Sequence, residues 1–334
     1  MEQFDIPVVV FFFKRAEKAA LVIDRIAQVR PKKIYLISDG PRNSAETAEV
    51  LACRQRLEER ITWPCEVVRN YAETNKGVFD RIGLGAQWVL AQEEAAIFLE
   101  DDNLPELSFF PFCKQMLWRY RDDDRVLWVC GTNYLREYEP EDGSSYVFTH
   151  HILPCGWASW GHKFGKYYQG DLSLLDDPFI VRRIKLENTN KALGRQDMQN
   201  WVRERYRILN AGRPSSWDYQ MSFTLRLYGL YGVVPKFNQI ENIGVDEHSI
   251  HGGTSYKNIM TRRFCGLKTK TLNFPLVHPK VVWVDSGFER LTANIILLPL
   301  RYRIKEMFNK ILKYIFVVPD QKSLTGELRR RLKF

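Results

Sequence analysis

Cysteine is scarce in this chain, and none of it forms a recognisable motif. The 334 residues include six cysteines, no two of which make a CxxC pair. Most lie beside apolar residues, as reduced buried thiols do; the six are Cys53, Cys65, Cys113, Cys130, Cys155 and Cys265. This distribution argues against a zinc ribbon or a disulfide framework, so a reducing compartment is the expected setting.

Other common signatures are missing as well. No apolar run reaches the ~20 residues that a membrane-spanning helix needs. The first residues, Met-Glu-Gln-Phe-Asp, lack the basic stretch that opens a secretory signal. No GxGxxG motif follows the first apolar run, which argues against a dinucleotide-dependent dehydrogenase. We therefore expect a cytoplasmic protein.

Positive charge is concentrated at one end of the chain. The formal net charge is +9, but ten basic and three acidic residues follow residue 300, so this tail alone carries +7. The remaining body is nearly neutral, which argues against a nucleic-acid groove spread over the protein. Aromatic residues reach 13% and include nine tryptophans, which suits stacking on sugar rings and equally suits a large core.

The first 135 residues alternate between strand and helix patterns. Apolar runs typical of buried strands occur at residues 7–13, 34–37, 65–69, 95–99 and 126–130. Helical spacing fills the intervals at 16–29, 44–60, 78–92 and 109–121. This alternation predicts an α/β fold with a doubly wound, mostly parallel sheet. After residue 136 the strands shorten, and helices are predicted near 178–193, 197–210 and 222–228, with a strand at 232–235.

An acidic triplet, Glu100-Asp101-Asp102, ends the apolar run that begins at Ala95. Ligands of open α/β sheets bind beyond the carboxyl ends of the strands, so the triplet is expected at the functional edge. Three adjacent carboxylates repel one another, and carboxylate oxygens suit Mg²⁺, Ca²⁺ or Mn²⁺. The alternative is a strand followed by a solvated acidic turn.

Several short motifs, each weak alone, occur in an order and spacing that resemble the GT-A nucleotide-sugar glycosyltransferases. They are Phe13-Lys14-Arg15, Ser38-Asp39-Gly40, Asn75-Lys76-Gly77, Glu100-Asp101-Asp102, Gly156-Trp157-Ala158-Ser159-Trp160, Trp217-Asp218 and Asn242-Ile243-Gly244. The chain looks most like the branch related to N-acetylglucosaminyltransferase I and like bacterial family-2-like transferases of surface polysaccharides. The resemblance implies the GT-A fold, with a Rossmann-like sheet, an acceptor-side half and, here, a C-terminal helical tail.

The same resemblance assigns roles on the donor side. Asp102 would bind the metal ion, and Glu100 and Asp101 would hold ribose or sugar hydroxyls. Asp39 would accept the imide N–H of uracil, although an Asp-Gly-Pro turn is the structural alternative. Contacts to the donor phosphates, base or sugar are expected from Phe13, Arg15, Lys76 and Arg81, for which solvated charges are the alternative.

Roles on the acceptor side follow in the later motifs. Asp218 is the candidate general base of an inverting transfer, and a helix cap is its alternative role. Trp157 and Trp160, with Gly156, are expected in a Gly-rich loop that contacts the acceptor sugar, with Trp157 packed and the loop backbone touching the sugar. A core-filling aromatic pair is the alternative. His251, before Gly252-Gly253, is expected to reach the diphosphate or metal from a loop, unless it is an ordinary surface histidine.

These assignments predict a metal-dependent, inverting glycosyltransferase that moves a sugar from a nucleotide donor, with UDP favoured, to a glycan or lipid-linked glycan. Residues 1–135 would form the donor-binding half, 136–284 the acceptor-binding and catalytic half, and 285–334 a basic tail. One alternative is a nucleotidyltransferase, but the Gly-rich basic signature of that class is missing after the first strand. Another is a non-catalytic binding protein.

The tail has a pattern of its own. Ile304, Met307, Phe308, Ile311, Leu312 and Ile315 form an apolar stripe, and basic residues lie largely off it. This pattern predicts an amphipathic helix on the inner face of an anionic membrane. Packing of the helix on the catalytic domain, or on a second subunit, is the alternative.

Overall fold

A computed structural model describes residues 3–245, 255–318 and 324–331, without the side chains of residues 306, 328, 329 and 331. The strands are β1 Val8–Phe12, β2 Lys33–Ser38, β3 Glu66–Tyr71, β4 Ala95–Glu100, β5 Asn103–Pro105, β6 Val126–Cys130, β7 Tyr146–Thr149, β8 Trp157–Trp160, β9 Tyr231–Pro235 and β10 Ile240–Asn242. The helices are α1 Ala16–Ile26, α2 Thr47–Glu59, α3 Gly85–Leu90, α4 Phe109–Arg119, α5 Gly161–Tyr167, α6 Pro178–Glu187, α7 Lys191–Ala211, α8 Asp218–Tyr228, α9 Ile259–Phe264, α10 Ser286–Ile296, α11 Leu300–Ile315 and α12 Leu324–Arg331. A π-helical segment, Phe79–Leu84, leads into α3.

Eight strands form one mixed sheet, in the order β3-β2-β1-β4-β8-β6-β9-β7. Strands β3, β2, β1, β4, β6 and β9 share one direction, and β8 and β7 run against them. The prediction of an α/β fold with a mostly parallel sheet flanked by helices is therefore confirmed. The sheet draws on both predicted halves, since β8, β9 and β7 come from residues after 135.

The apolar runs became the central strands because both of their faces are covered. Every residue of β1 and β6 is buried. One face packs against α1, α2 and α4, and the other packs against α3, α5 and α8. A third apolar cluster, which includes Leu172, Trp201 and Phe223, lies beneath α6 and α7.

The region expected to be a Gly-rich loop contains a central strand instead. Residues Trp157–Trp160 form β8, which runs antiparallel between β4 and β6. The two indoles are 1% exposed, and Trp157 stacks between Phe98 and Trp128 at centroid distances of 4.0 and 4.1 Å. The core-filling alternative therefore describes both tryptophans in this structure.

The start of the C-terminal region is fastened to the sheet. Glu289 of α10 accepts hydrogen bonds from Thr149 Oγ1, from the His150 backbone N–H at 3.1 Å, and from Arg226 Nη2 at 3.0 Å. These contacts tie α10 to β7 and α8. In the described ranges, no helix is both long enough and apolar enough to cross a membrane.

A buried lysine, Lys163, joins α5 to the segment between α4 and β6. Lys163 Nζ donates to the carbonyl oxygens of Tyr120, Asp123 and Val126 at 2.5, 2.8 and 3.0 Å, and lies 4.0 Å from the Trp160 ring centroid. Burial lowers the pKa of Lys163 to about 8. Between that value and the ordinary lysine value, the unfolded chain binds more protons than the folded one.

We therefore predict that Lys163 makes the free energy of unfolding rise with pH between about 8 and 10. Urea titrations across this window should show a difference between wild type and Lys163→Met that grows by ~1–3 kcal/mol, since one pKa unit corresponds to ~1.4 kcal/mol. Parallel pH profiles for the two proteins would refute this account of Lys163.

Candidate active site

A cavity of about 430 Å³ lies at the edge of the sheet where β1, β2 and β4 end. Parallel strands present their carboxyl ends together, and this brings residues that are far apart in the sequence to one wall. Eight of the predicted site residues line the cavity: Phe13, Arg15, Asp39, Arg81, Glu100, Asp101, Asp102 and Asp218.

Strand β4 delivers the acidic triplet into this cavity. Burial raises the pKa of Glu100, Asp101 and Asp102, and the charge of Asp102 raises it further for the first two. The pKa of Asp101 reaches about 7. Arg15 Nη1 lies 3.0 Å from Asp102 Oδ2 and 3.5 Å from Asp101 Oδ1. The triplet is therefore a largely buried acidic cluster with an arginine against it, and the solvated-turn alternative does not describe it.

Asn103 and the Asn242-Ile243-Gly244 motif also hold Asp102 in place. Its Oδ1 accepts from Asn103 Nδ2 at 2.8 Å and from Asn242 Nδ2 at 3.4 Å, across the antiparallel pair β5–β10. The Ile243 backbone N–H donates to the Asp102 carbonyl at 2.8 Å. A Cβ built on Gly244 would collide with Asp102 Oδ2, so glycine is required where the backbone passes the carboxylate.

Asp39 is engaged in a different role from the one expected. Its Oδ1 accepts from the backbone N–H groups of Gly40 and Lys76, both at 2.8 Å. Its Oδ2 accepts from Asn75 Nδ2 at 2.9 Å and from the Gly77 N–H at 3.0 Å. A carboxylate has about four lone-pair sites, so these four donors fill it. Asp39 fixes the loop at 75–77 to the end of β2, and its predicted contact with a uracil base is left without a free acceptor.

Arg81 enters the cavity from the π-helical segment Phe79–Leu84, a type of irregularity that is frequent at functional sites. Its Nη2 donates to the Asn70 carbonyl at 2.6 Å and to Asn70 Oδ1 at 3.0 Å. Its Nε is buried without a hydrogen-bond partner among the described residues. The Arg81 side chain lines the cavity, where its guanidinium could donate to a phosphate oxygen.

Phe13 and Asp218 also line the cavity. The Phe13 N–H donates to Asp101 Oδ2 at 3.3 Å, and Arg42 stacks 5.5 Å from its ring centroid. Asp218 stands at the start of α8, where its Oδ1 accepts from the Tyr219 N–H at 3.1 Å and from Ser216 Oγ. Its negative charge contributes to the raised pKa of Glu100, so the two carboxyl groups face the same space.

Four predicted site residues do not reach the cavity. Trp157 and Trp160 are core residues, and Trp160 Nε1 donates to the Leu117 carbonyl at 2.8 Å. Gly156 is buried behind them, with a φ of +63° that favours glycine. Lys76 is exposed and contributes its backbone N–H to Asp39. The core would have to open before either indole could touch a sugar. The predicted contact of Trp157 and Trp160 with the acceptor is therefore wrong for this structure.

His251, with His248, lies outside the described residues, so its predicted role stays a prediction. Within those residues, no three His, Cys, Asp or Glu side chains already converge as a metal cage. Sequence reasoning did not identify Asn103 and Asn242 as partners of Asp102. Their only signal is position, since Asn103 follows the acidic triplet and Asn242 opens the Asn242-Ile243-Gly244 motif.

No protein-family model matches the chain, and no curated protein matches it in sequence. Among solved structures it resembles a mannosyltransferase from Pyrobaculum calidifontis in complex with GDP-Man and Mn²⁺, at 12% identity over 68% of this chain and 69% of that one, with a TM-score of 0.38. It also resembles S. aureus TarS 1-349, at 12% identity over 71% of this chain and 59% of that one, with the same TM-score. UDP-glucose pyrophosphorylase complexed with UDP-glucose matches at 8% identity over 71% and 93%, with a TM-score of 0.34.

The predicted resemblance to nucleotide-sugar glycosyltransferases is thus found among the structural neighbours, whereas a specific relation to the N-acetylglucosaminyltransferase I branch is not. Every one of these TM-scores is below 0.5. These likenesses therefore say nothing of what the chain binds or catalyses.

The role of Asp39 can be tested without any ligand. Asp39→Asn replaces an acceptor oxygen with an amide that donates, so it should release at least one of the four hydrogen bonds. We predict faster hydrogen–deuterium exchange at the Lys76 and Gly77 amides, by about tenfold or more, with little change in α7. Unchanged exchange at both amides would show that Asp39 does not hold this loop.

Proposed function

We propose that this protein is a metal-dependent glycosyltransferase that moves a sugar from a nucleoside diphosphate to a hydroxyl of a glycan or lipid-linked glycan. One observation supports the proposal most directly. A single cavity combines the acidic cluster at the end of β4, the guanidinium of Arg81 and a separate carboxylate, Asp218.

The acidic cluster fits a divalent cation. Its oxygen donors are those that Mn²⁺ and Mg²⁺ prefer, and the buried carboxylates Glu100, Asp101 and Asp102 outnumber the contacting guanidinium of Arg15. Asp101 and Asp102 would hold the ion. When bound, it would offset the negative charge of the leaving diphosphate.

The chain's own residues cover the remaining requirements of transfer. Arg81 would donate to the diphosphate, and Phe13 would line the side of the cavity nearest Asp101. Asp218 would accept the proton of the acceptor hydroxyl as its oxygen attacks the anomeric carbon. The bond from that carbon to the diphosphate breaks, the diphosphate carries away the electron pair, and the configuration at the carbon inverts. A positioned base of this kind contributes roughly 10²–10⁴-fold to the rate.

The nucleobase of the donor is a separate question from the diphosphate. The sequence predicts a UDP donor because Asp39 could accept from uracil, but Asp39 already accepts four hydrogen bonds. We retain a UDP-sugar as the first donor to test, alongside the other nucleotide sugars.

Two substitutions separate metal binding from base catalysis. In Asp218→Asn, release of nucleoside diphosphate from the best donor should fall by roughly 10²–10⁴-fold while nucleotide affinity stays within about twofold. In Asp102→Asn, the Mn²⁺-dependent rise in melting temperature on adding the nucleoside diphosphate should be lost. Asp122→Asn, an exposed aspartate outside the cavity, is the matched control and should behave as wild type.

Full turnover by Asp218→Asn would remove the base assignment. Release of pyrophosphate from a nucleoside triphosphate and a sugar phosphate would instead establish the nucleotidyltransferase alternative. A wild-type protein that neither binds nor consumes any nucleotide sugar would favour the non-catalytic one.

The amphipathic pattern of the tail is present as helix α11, and we propose that it lies on an anionic membrane surface. Its six stripe residues are 41–61% exposed. Lys313 is only 9% exposed, so the apolar side, rather than the side that carries Lys313, is turned to solvent. Arg301, Lys305 and Lys310 are exposed on the same helix. An anionic bilayer would accept the apolar side chains and attract each basic group by ~1 kcal/mol.

The full chain should therefore sediment with phosphatidylcholine vesicles that contain 30% phosphatidylglycerol, and less with vesicles of phosphatidylcholine alone. Phe308→Asp should reduce the bound fraction at least about fivefold, because it places a charge in the apolar stripe. Leu209→Asp, at a 63% exposed leucine of α7, is the control and should bind normally. Equal binding by both variants, or a stable dimer that Phe308→Asp dissociates, would contradict the membrane proposal.

A further inference from the structure

A second cavity, of about 260 Å³, adjoins the first, and Ser216 and Asp218 line both. Its other walls are one face of α7, the segment that precedes α8 and the first turn of α8, which contribute Asn200, Arg203, Glu204, Arg207, Ser215 and Tyr219. Asp218 therefore stands between the two spaces. If the first cavity holds the donor, the group that approaches Asp218 from the other side belongs to the acceptor.

The two acids and two arginines of the second cavity are not equivalent. Glu204 is fully buried and accepts from the Ser215 N–H at 2.8 Å, from Ser215 Oγ at 2.7 Å, and from Arg207 Nη1. The positive charge of Arg207 offsets the negative charge of Glu204, so Arg207 is already paired. Arg203 is exposed, and no acidic side chain among the described residues forms an ion pair with it.

Three polar side chains that line the second cavity make no hydrogen bond, and all three can donate one. Within the described residues, the side chains of Asn200, Arg203 and Tyr219 make no hydrogen bond. Burial, with the charges of Asp218 and Glu204, raises the pKa of Tyr219 to about 12, so its hydroxyl keeps its proton. Both carboxylate oxygens of Glu204 already accept hydrogen bonds. A ligand rich in acceptor oxygens, with negative charge for Arg203, is the chemical complement of this arrangement.

Helix α7 also connects this cavity to the tail. Gln196 Nε2 donates to the Ile296 carbonyl at 3.2 Å, and Gln196 Oε1 accepts from the Leu298 N–H at 2.8 Å, at the junction of α10 and α11. Asn200 and Arg203 follow Gln196 on the same helix face, because residues three and four apart are neighbours on a helix. Arg203 thus lies ~10 Å along α7 from Gln196, which contacts the segment just before the amphipathic helix.

We propose that the second cavity binds an oxyanion of the acceptor, a phosphate or a carboxylate, through Arg203, and so presents a nearby acceptor hydroxyl to Asp218. The placement of the hydroxyl rests on the proposed function, whereas the oxyanion site can be tested separately. Lipid-linked glycans carry phosphate and acidic sugars carry carboxylate, so the shared chemistry is an oxyanion beside a sugar hydroxyl.

The test is calorimetric titration of the full chain with glucose 6-phosphate, glucuronate and glucose, with UDP and Mg²⁺ present to occupy the first cavity. We expect glucose 6-phosphate or glucuronate to bind at least about tenfold more tightly than glucose, and Arg203→Gln to abolish that preference. Arg195→Gln, at an exposed arginine of the same helix, is the matched control and should retain it. A preference for glucose 6-phosphate alone would identify phosphate as the group, and a preference for glucuronate alone would identify carboxylate.

Equal affinity for all three probes in the wild type, or equal affinity in wild type and Arg203→Gln, would overturn the proposal. A separate titration with the nucleoside diphosphates distinguishes the two claims. If none of them binds while the oxyanion preference still depends on Arg203, the proposed function fails and the oxyanion site stands. If a nucleoside diphosphate binds but Arg203→Gln changes nothing, the site fails and the proposed function stands.

Discussion

The burial of three adjacent carboxylates at the end of β4 is the constraint on which the site depends. Such a cluster is costly, because burial favours the neutral forms and each charge repels the next. The structure offsets this cost with Arg15, with the Asn103 and Asn242 amides, and with the Phe13 N–H. These partners come from the residues after β1, from β5 and from a segment 140 residues away. Residues distant in sequence are thus required to meet at this one point.

Hydrogen bonds fix the elements around the two cavities. Asp39 holds the loop at 75–77 at one rim, and the β5–β10 pair holds the other. The Glu204–Ser215 network fixes the segment before α8, and so fixes the direction in which Asp218 faces. An active-site carboxylate is useful only if its position is set in advance, and here packed helices and buried hydrogen bonds set it.

The sequence predicted the parts of this arrangement that depend on local pattern. β6 was predicted at its observed limits, and the acidic triplet was placed correctly because a continuous apolar run must be a buried strand. β8 was missed because Trp157–Trp160 is short, and its role follows from its neighbours β4 and β6. Asp39 was identified, but its four donors could not be foreseen, since three belong to residues 75–77 and only the fold brings them near. Arg203 has no local signal, because its importance lies in the partner that it lacks.

The measurement that tests the central claim most directly is a crystal structure of the full chain grown with UDP and Mn²⁺, with the ion located by its anomalous scattering. The account predicts one manganese peak against Asp101 or Asp102, with a diphosphate beside it and Arg81 in contact with that diphosphate. A nucleotide bound elsewhere, or a manganese peak away from the end of β4 while the acidic cluster keeps only Arg15, would contradict it.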